Sequence, residues 1–377
     1  MSHEGTVEDS RAVDSGAQAG RALMEGSQAI AHAAIAAGCR FFAGYPMTPF
    51  TELLEHFAAE LPAVGGVTIN AESELEAIGM AWGALATGER AATGSTGQGL
   101  ALMQESLSEI TRAELPLVCF NMARGQGDYF QATRGGGHGD YRHVVLAPQD
   151  VHEAIRLTQE AFDLADRWRN PVLVYGDYFL AHTSEAVTIE PLEFEPLPEK
   201  LWAVDGSRGG SGRSRNINPI GMELGRKGIE PESFWQRLQD KHEAIAATCA
   251  RHEAESCEDA EIVLVAFGSM ARFARPVVRR LREEGVRIGL FRPITLWPFP
   301  ESALAGAARQ ARQVAVLEQN AGQMIDDVKI AVAGAAPVVA VGGISSDNAG
   351  FGIGPLYDTR EIRTRLETRL DLPGAKR

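Results

Sequence analysis

The chain has 377 residues, of which 45% are hydrophobic and 23% charged, so it is long enough for two or three globular domains. Its formal net charge of −14 argues against nucleic acid and anionic membranes as partners, and no apolar run reaches the length of a membrane span. No two of the four cysteines form a C-x-x-C pair, which argues against an iron–sulfur or zinc site in the chain and favours a reducing, cytoplasmic compartment.

The first half of the chain, residues 1–190, predicts a lead-in followed by an α/β domain. Residues 1–20 are polar and lack the apolar core of a signal peptide, so we expect a disordered lead-in. Residues 21–190 alternate short apolar runs with helical patterns, and strands separated by helix-length crossovers predict a doubly wound parallel sheet. The expected strands lie near residues 40–43, 66–69, 90–95, 115–122, 144–148 and 171–175.

The remainder predicts a connection and a second α/β domain. Residues 191–257 begin with prolines and a glycine/serine-rich run, typical of a linker that is mobile or draped over another surface, and then predict a polar helix at 230–257. Residues 258–377 form the second unit, with strands expected near 261–268, 286–291, 314–318 and 338–342 and a basic helix at 275–284. The predicted fold is therefore two doubly wound parallel-sheet domains.

The turn Gly44–Pro49, sequence Gly-Tyr-Pro-Met-Thr-Pro, follows the first strand. Its two prolines must end the strand, and they place Thr48 in a stiff turn. In open α/β sheets, ligands bind at this edge. The alternative is a rigid turn without chemistry.

Three glutamates follow Asn70, which we expect to be the N-cap of the next helix. At about 100° per residue, Glu74 lies about 60° from the centre of the apolar stripe, Glu72 about 100° and Glu76 about 140°. The stripe comprises Leu75, Ile78, Trp82 and Leu85. We therefore expect Glu74 to be buried and to need a partner or a role; the alternative is that all three acids complement the helix dipole.

Further candidates lie at the ends of later strands. Arg124 enters a glycine-rich loop, where a cation suits a carboxylate or phosphate ligand, although a plain surface arginine is the alternative. His138 follows three glycines and is either a proton-transfer group or a loop histidine paired with Asp140. The segment 93–99 opens a helix and suits an anion, but it lacks the lysine of a P-loop.

Several of these segments, taken in order, resemble the α subunit of the 2-oxoacid:ferredoxin oxidoreductases, which depend on thiamine diphosphate. The likeness covers about residues 22–335, and residues 128–142 are most similar to the 2-oxoisovalerate (3-methyl-2-oxobutanoate) branch. The segments that carry it are 44–49, 71–74, 94–99, 114–116 with Arg124, 128–142, 292–300 and 318–324. The resemblance implies a pyrimidine-binding-like first domain and a transketolase C-terminal-like second domain that serves assembly.

The resemblance also implies roles for individual residues. Glu74 matches the catalytic glutamate that hydrogen-bonds the aminopyrimidine ring of thiamine diphosphate. Thr48 and Arg124 match residues that bind the carbonyl and the carboxylate of the substrate. The remaining candidates are His138 for substrate and Tyr45, Pro46 and Gly97 for the cofactor. No metal ligand is expected in this chain.

The magnesium-binding segment of thiamine enzymes, Gly-Asp-Gly, is missing. Each Gly-Asp, at 127, 139 and 176, is followed by tyrosine. The resemblance therefore implies a β subunit that supplies the diphosphate and Mg²⁺ site, and cluster-bearing partners (γ and ferredoxin-like δ subunits or equivalents) whose [4Fe-4S] centres take the electrons. The implied reaction is coenzyme A-dependent oxidative decarboxylation of a 2-oxoacid to acyl-CoA and CO₂.

The substrate and the catalytic status stay open. A short loop after Arg124 and an aromatic ring at Phe50, beside the expected pocket, suit an aryl or bulkier acid. Phenylglyoxylate, indolepyruvate, 2-oxoglutarate and branched-chain acids are all candidates. The alternative function is a non-catalytic structural or assembly subunit, while a self-sufficient thiamine lyase is disfavoured by the missing Gly-Asp-Gly segment.

Overall fold

The computed structural model describes residues 21–204, 230–344, 357–370 and 372. The predicted lead-in at residues 1–20 and the glycine/serine-rich part of the predicted linker lie outside these residues. The described strands are β1 (Ala22–Glu25), β2 (Phe41–Gly44), β3 (Val67–Asn70), β4 (Ala91–Ser95), β5 (Val118–Ala123), β6 (Val144–Leu146), β7 (Val172–Asp177), β8 (Ser184–Val187), β9 (His252–Glu255), β10 (Ile262–Val265), β11 (Ile288–Pro293), β12 (Thr295–Trp297), β13 (Gln313–Val316) and β14 (Val338–Ala340).

The helices lie mostly between consecutive strands, as a doubly wound fold requires. They are α1 (Gly26–Ala36), α2 (Thr51–Glu60), α3 (Glu74–Ala86), α4 (Gly97–Leu102), α5 (Gln104–Arg112), α6 (Tyr129–Thr133), α7 (Val151–Trp168), α8 (Tyr178–His182), α9 (Pro231–Cys249), α10 (Gly268–Glu283), α11 (Glu301–Ala308), α12 (Met324–Val332) and α13 (Thr359–Arg369). A short 3₁₀ helix spans Leu61–Val64.

The first domain is built on a seven-stranded sheet of order β12-β6-β7-β5-β4-β2-β3. Every neighbouring pair from β6 to β3 is parallel, and β12 pairs antiparallel with β6 at the edge. The strands β4, β5 and β7 are buried along their whole length, because helices cover both faces of the sheet. The edge strand β12 comes from the second half of the chain, so the two halves share one sheet.

The second domain has a five-stranded sheet of order β14-β13-β10-β11-β9, parallel except for β9. One face packs on α10 and α13, and the other packs toward the first domain in one continuous apolar cluster. That cluster contains Leu107 and Tyr129 of the first domain and Phe267 and Phe291 of the second. The predicted α/β architecture is therefore confirmed, with one antiparallel strand at an edge of each of these two sheets; β1 and β8 form a separate antiparallel pair.

Several expected boundaries differ from the structure. Asn70 ends β3 instead of capping a helix, and the N-cap is Ser73, whose side chain accepts a hydrogen bond from the backbone N–H of Glu76. The polar helix expected at 230–257 ends at Cys249, and the chain then enters β9. No helix among the described residues is both long and apolar enough to cross a membrane.

Candidate active site

The carboxyl ends of β2, β4 and β5 lie side by side, so the segments that follow them meet at one edge of the sheet. Arg124, directly after β5, donates a 3.1 Å hydrogen bond from Nε to the backbone carbonyl of Thr48, in the turn after β2. Its Nη1 and Nη2 make no hydrogen bond or ion pair with any described residue. The structure thus joins two predicted substrate residues and leaves the forked end of the guanidinium open for a carboxylate.

Glu74 is the buried member of the three glutamates, at 2% exposure, whereas Glu72 and Glu76 are exposed. The expectation from angular position is confirmed, although Leu75 is 51% exposed. The buried face of α3 is carried by Ala77, Ile78, Ala81 and Leu85. Ser95, at the end of β4, donates a 2.8 Å hydrogen bond to Glu74 Oε1, and no described residue donates to Oε2. One carboxylate oxygen is therefore available to a ligand.

Two glycines of α4 make room for carboxylates. A Cβ built on Gly99 would collide with Glu74 and Ser95, and one built on Gly97 would collide with Asp128. The backbone of the first turn of α4 therefore forms a cradle against which both carboxylates pack. A buried carboxylate with one free oxygen, set in a cradle of glycine backbone, fits the ring N–H of a bound heterocycle.

Asp128 lies in this site and was not singled out from the sequence. Asn121 on β5 donates a 3.2 Å hydrogen bond to Asp128 Oδ2. Burial raises the pKa of the Asp128 carboxyl, while the hydrogen bond from Asn121 and the charge of Arg124 oppose that rise. The only local signal was its place four residues after Arg124, in a Gly-Asp-Tyr segment.

The other predicted site residues are placed differently. His138 is exposed, and its backbone N–H donates to Ser108 Oγ on α5 at 3.1 Å. No hydrogen bond or ion pair among the described residues joins His138 to Asp140, Thr48 or Arg124. The glycine run before it is held by the Tyr141 hydroxyl, which accepts from the amides of residues 136 and 137. Tyr45 is half-buried and Pro46 exposed, both in the turn that carries Thr48.

Phe50 does not line an exposed pocket, contrary to expectation. The ring is fully buried, lies 6.1 Å from the ring centroid of Phe42, and packs against the backbone of Gly44 and Gly94. It belongs to the apolar core between the sheet and α1, α2 and α7. The aromatic ring at this position therefore gives no structural reason to favour an aryl substrate.

Comparison with known proteins agrees with this architecture. A family model described as "Pyruvate flavodoxin/ferredoxin oxidoreductase, thiamine diP-bdg" matches residues 32–253, and one described as "Pyruvate:ferredoxin oxidoreductase core domain II" matches residues 260–349. The chain is 39% identical over 319 residues to the ketoisovalerate oxidoreductase subunit VorB of Methanothermobacter marburgensis, covering 82% of this chain and 89% of that protein. It is 36% identical over 358 residues to the 2-oxoglutarate synthase subunit KorA of Methanothermobacter thermautotrophicus, covering 84% and 92%.

Two solved structures are also similar. The 2-oxoglutarate:ferredoxin oxidoreductase from Magnetococcus marinus, solved with 2-oxoglutarate, coenzyme A and succinyl-CoA bound, matches with a TM-score of 0.79 and 25% identity; the match covers 92% of this chain and 65% of that longer chain. A split-gene transketolase in an inactive β4 tetramer shares the fold, with a TM-score of 0.58, 16% identity and coverage of 93% and 99%. This chain therefore belongs to the 2-oxoacid:ferredoxin oxidoreductase family and carries that family's thiamine diphosphate-binding domain.

Proposed function

We propose that this chain is the α subunit of a complex that converts a 2-oxoacid and coenzyme A into acyl-CoA and CO₂ and passes the electrons to an iron–sulfur acceptor. The observation that carries the proposal is the pairing of two open groups on adjacent strand ends. Glu74 is held by Ser95 at the end of β4, and no described residue donates to its Oε2. Arg124 lies at the end of β5, and no described residue bonds the fork of its guanidinium.

These side chains divide the work. Glu74 accepts a hydrogen bond from the aminopyrimidine ring. Because the side chain is buried, water does not compete for that hydrogen bond. The chemistry that thiamine diphosphate supplies when bound is a nucleophilic carbon and an electron sink. Arg124 binds the carboxylate of the 2-oxoacid with Nη1 and Nη2, and Thr48 faces the carbonyl.

The proposal requires a partner for the charged end of the cofactor. Two of the three Gly-Asp aspartates already have protein contacts: Asp128 packs on Gly97, and Asp177 caps α8 through the Leu180 N–H and accepts from Ser269 Oγ. These contacts support a separate β subunit as the source of the diphosphate and Mg²⁺ site. Cluster-bearing γ and δ subunits, or their equivalents, would carry the [4Fe-4S] centres.

The exposed surface of α3 supports docking of the proposed β subunit there. The helix that begins with Glu74 exposes Leu75, Gly79, Met80 and Gly83. Apart from the adjoining helix backbone, no atom of the described residues lies within 4 Å of a Cβ built on either glycine. Val67, on the neighbouring edge strand β3, is 50% exposed. An uncovered face of small and apolar residues that starts at the active carboxylate suits a subunit that completes the site.

A branched-chain 2-oxoacid is the proposed substrate. The name of the VorB relative refers to ketoisovalerate, and the core position of Phe50 removes the argument for an aryl acid that rested on its ring. 2-Oxoglutarate is the second candidate, because the KorA relatives are 2-oxoglutarate synthase subunits.

The test is to purify the chain with its partners and assay a panel of 2-oxoacids with coenzyme A and a viologen dye. In that complex Glu74→Gln should lower kcat by roughly 100-fold or more, since a proton-handling contact is lost. Glu76→Gln, an exposed neighbour in the same helical turn, should leave kcat unchanged. Turnover by the Glu74→Gln complex at the unmodified rate would make the chain a structural subunit instead.

A further inference from the structure

Gln126 connects the active-site loop to the second domain. It is buried, at 1% exposure, and lies two residues after Arg124. Its Nε2 donates to the Phe267 carbonyl at 3.0 Å, and its Oε1 accepts from the Gln319 N–H at 3.0 Å. Its own carbonyl accepts from Asn320 Nδ2 at 2.8 Å. All three partners belong to the second domain, so both side chain and backbone of Gln126 are tied across the interface.

The residues after Gln126 are held by the same segment. Gln323 donates from Nε2 to the carbonyl of Gly127 and accepts from the N–H of Phe130, both at 2.8 Å. Asp327 accepts from the Tyr129 hydroxyl at 2.7 Å and forms a forked ion pair with Arg134 at 3.1 Å. Residues 126–134 of the first domain are thus held by hydrogen bonds and an ion pair to residues 319–327 of the second.

The holding segment is itself fixed by a buried carboxylate. Glu318, at 1% exposure, accepts hydrogen bonds from the backbone N–H groups of Gln323, Met324 and Ile325, at 2.7 to 3.2 Å. These contacts set the start of α12 and close the turn between β13 and that helix. Because the Glu318 carboxylate is buried and its partners are backbone groups, we expect this turn to be rigid and to hold residues 126–134 in place.

We propose that Gln126 is a positioning residue: through it, the turn at residues 318–327 sets the place of the Arg124 guanidinium and hence the affinity for the 2-oxoacid carboxylate. The inference rests on the proposed role of Arg124. The hydrogen bond to Thr48 anchors the guanidinium at one end, and Gln126, one glycine removed along the chain, anchors the backbone that carries it. The second domain therefore acts on substrate binding as well as on assembly.

The test uses the complete complex and three variants. Gln126→Met keeps the length of the side chain and removes both of its hydrogen bonds. Asn320→Asp keeps the acceptor for the Gly322 N–H but loses the donor to the Gln126 carbonyl. Gln159→Met is the matched control. Gln159 lies on α7, is also 1% exposed, and its side chain also bonds two backbone groups, the Glu190 carbonyl and the Leu192 N–H.

We expect Gln126→Met and Asn320→Asp each to raise KM for the 2-oxoacid roughly tenfold or more, because a misplaced binding group loses orientation. KM for coenzyme A should not change, and the fall in Tm should match that of Gln159→Met. Equal effects of all three variants on KM for the 2-oxoacid would overturn the inference. If Gln126→Met prevents assembly, Asn320→Asp decides the question by the same measurement.

Arg124→Met separates this inference from the function on which it rests. If Arg124→Met raises KM for the 2-oxoacid and the Gln126 and Asn320 variants do not, the proposed function stands and the inference is wrong. If Arg124→Met leaves KM for the 2-oxoacid unchanged in a complex that turns over, the proposed role of Arg124 fails and the inference falls with it.

Discussion

The Ser95 hydroxyl donates to the Glu74 carboxylate across 2.8 Å in the buried interior, joining the end of β4 to the first residue of α3. The bond uses one carboxylate oxygen, Oε1, and no described residue donates to the other. Ser95 can reach Glu74 because Gly99 of α4, which packs against both side chains, has no Cβ to separate them.

Ser95→Ala should therefore lower kcat of the complex about tenfold, because the Glu74 side chain stays in place but loses the hydrogen bond that orients it. The free energy of unfolding should fall by about 1–3 kcal/mol, as expected when a buried polar group loses its hydrogen-bond partner. Thr93→Val is the control: Thr93 is fully buried on the same strand, and its hydroxyl donates to the Ala43 carbonyl at 2.8 Å. An equal loss of kcat in both variants would show that the Ser95 contact has no specific part in catalysis.

Gly79→Arg tests the docking face on α3. The free chain should fold with unchanged or slightly higher stability, since the position is open and arginine forms helix better than glycine by about 1 kcal/mol. Co-purification of the diphosphate-binding subunit should be lost, because the new side chain blocks the face. Gly306→Arg, at an exposed and open helical glycine of the second domain, should leave assembly intact. Full assembly of the Gly79→Arg protein would place the interface elsewhere.

Phe50→Ala should act on stability. Removing a fully buried ring that packs against Gly44, Gly94 and Phe42 should cost about 3–5 kcal/mol of unfolding free energy, measured by urea denaturation. Phe194→Ala, at a ring that is 38% exposed, should cost less than about 1 kcal/mol. A small stability loss together with a changed 2-oxoacid preference would mean that Phe50 lines the substrate pocket after all.

His143 should make stability depend on pH. Complete burial lowers the pKa of the His143 imidazole from 6.5 to about 4, with Arg142 acting in the same direction and the Ala132 backbone opposing. Between pH 6.5 and 4 the unfolded chain therefore binds a proton that the folded chain does not, so stability falls as pH falls through this window. The shift corresponds to roughly 3 kcal/mol for this group.

Urea denaturation of the free chain from pH 7 to pH 4 measures this effect. The slope of unfolding free energy against pH is proportional to the number of protons taken up on unfolding. His143→Phe should reduce that number by up to one. Parallel pH curves for the unmodified chain and His143→Phe would show that His143 is not kept neutral in the folded state.

How far the sequence determined these conclusions varies with the range of the interaction. The burial of Glu74 follows from helical periodicity, which is local, and the prediction is confirmed even though Leu75 faces outward. The parallel direction of the strands follows from apolar runs separated by helix-length crossovers, but their order in the sheet was not predicted. The pairing of β12 with β6 has no such signal, because it joins three residues to a strand about 150 positions away. The three-way tie of Gln126 is equally hidden, since nothing near a lone glutamine shows that its partners lie in another domain.

The shared sheet also constrains how this molecule can be divided. A fragment ending at residue 204 would keep β6 but lose β12, leaving a buried strand with a bare row of amide and carbonyl groups. An unpaired edge strand of this kind pairs with strands of other chains, so this fragment should aggregate instead of folding as an independent domain. If a gene were split between the halves, the two products would therefore have to associate so that β12 still pairs with β6.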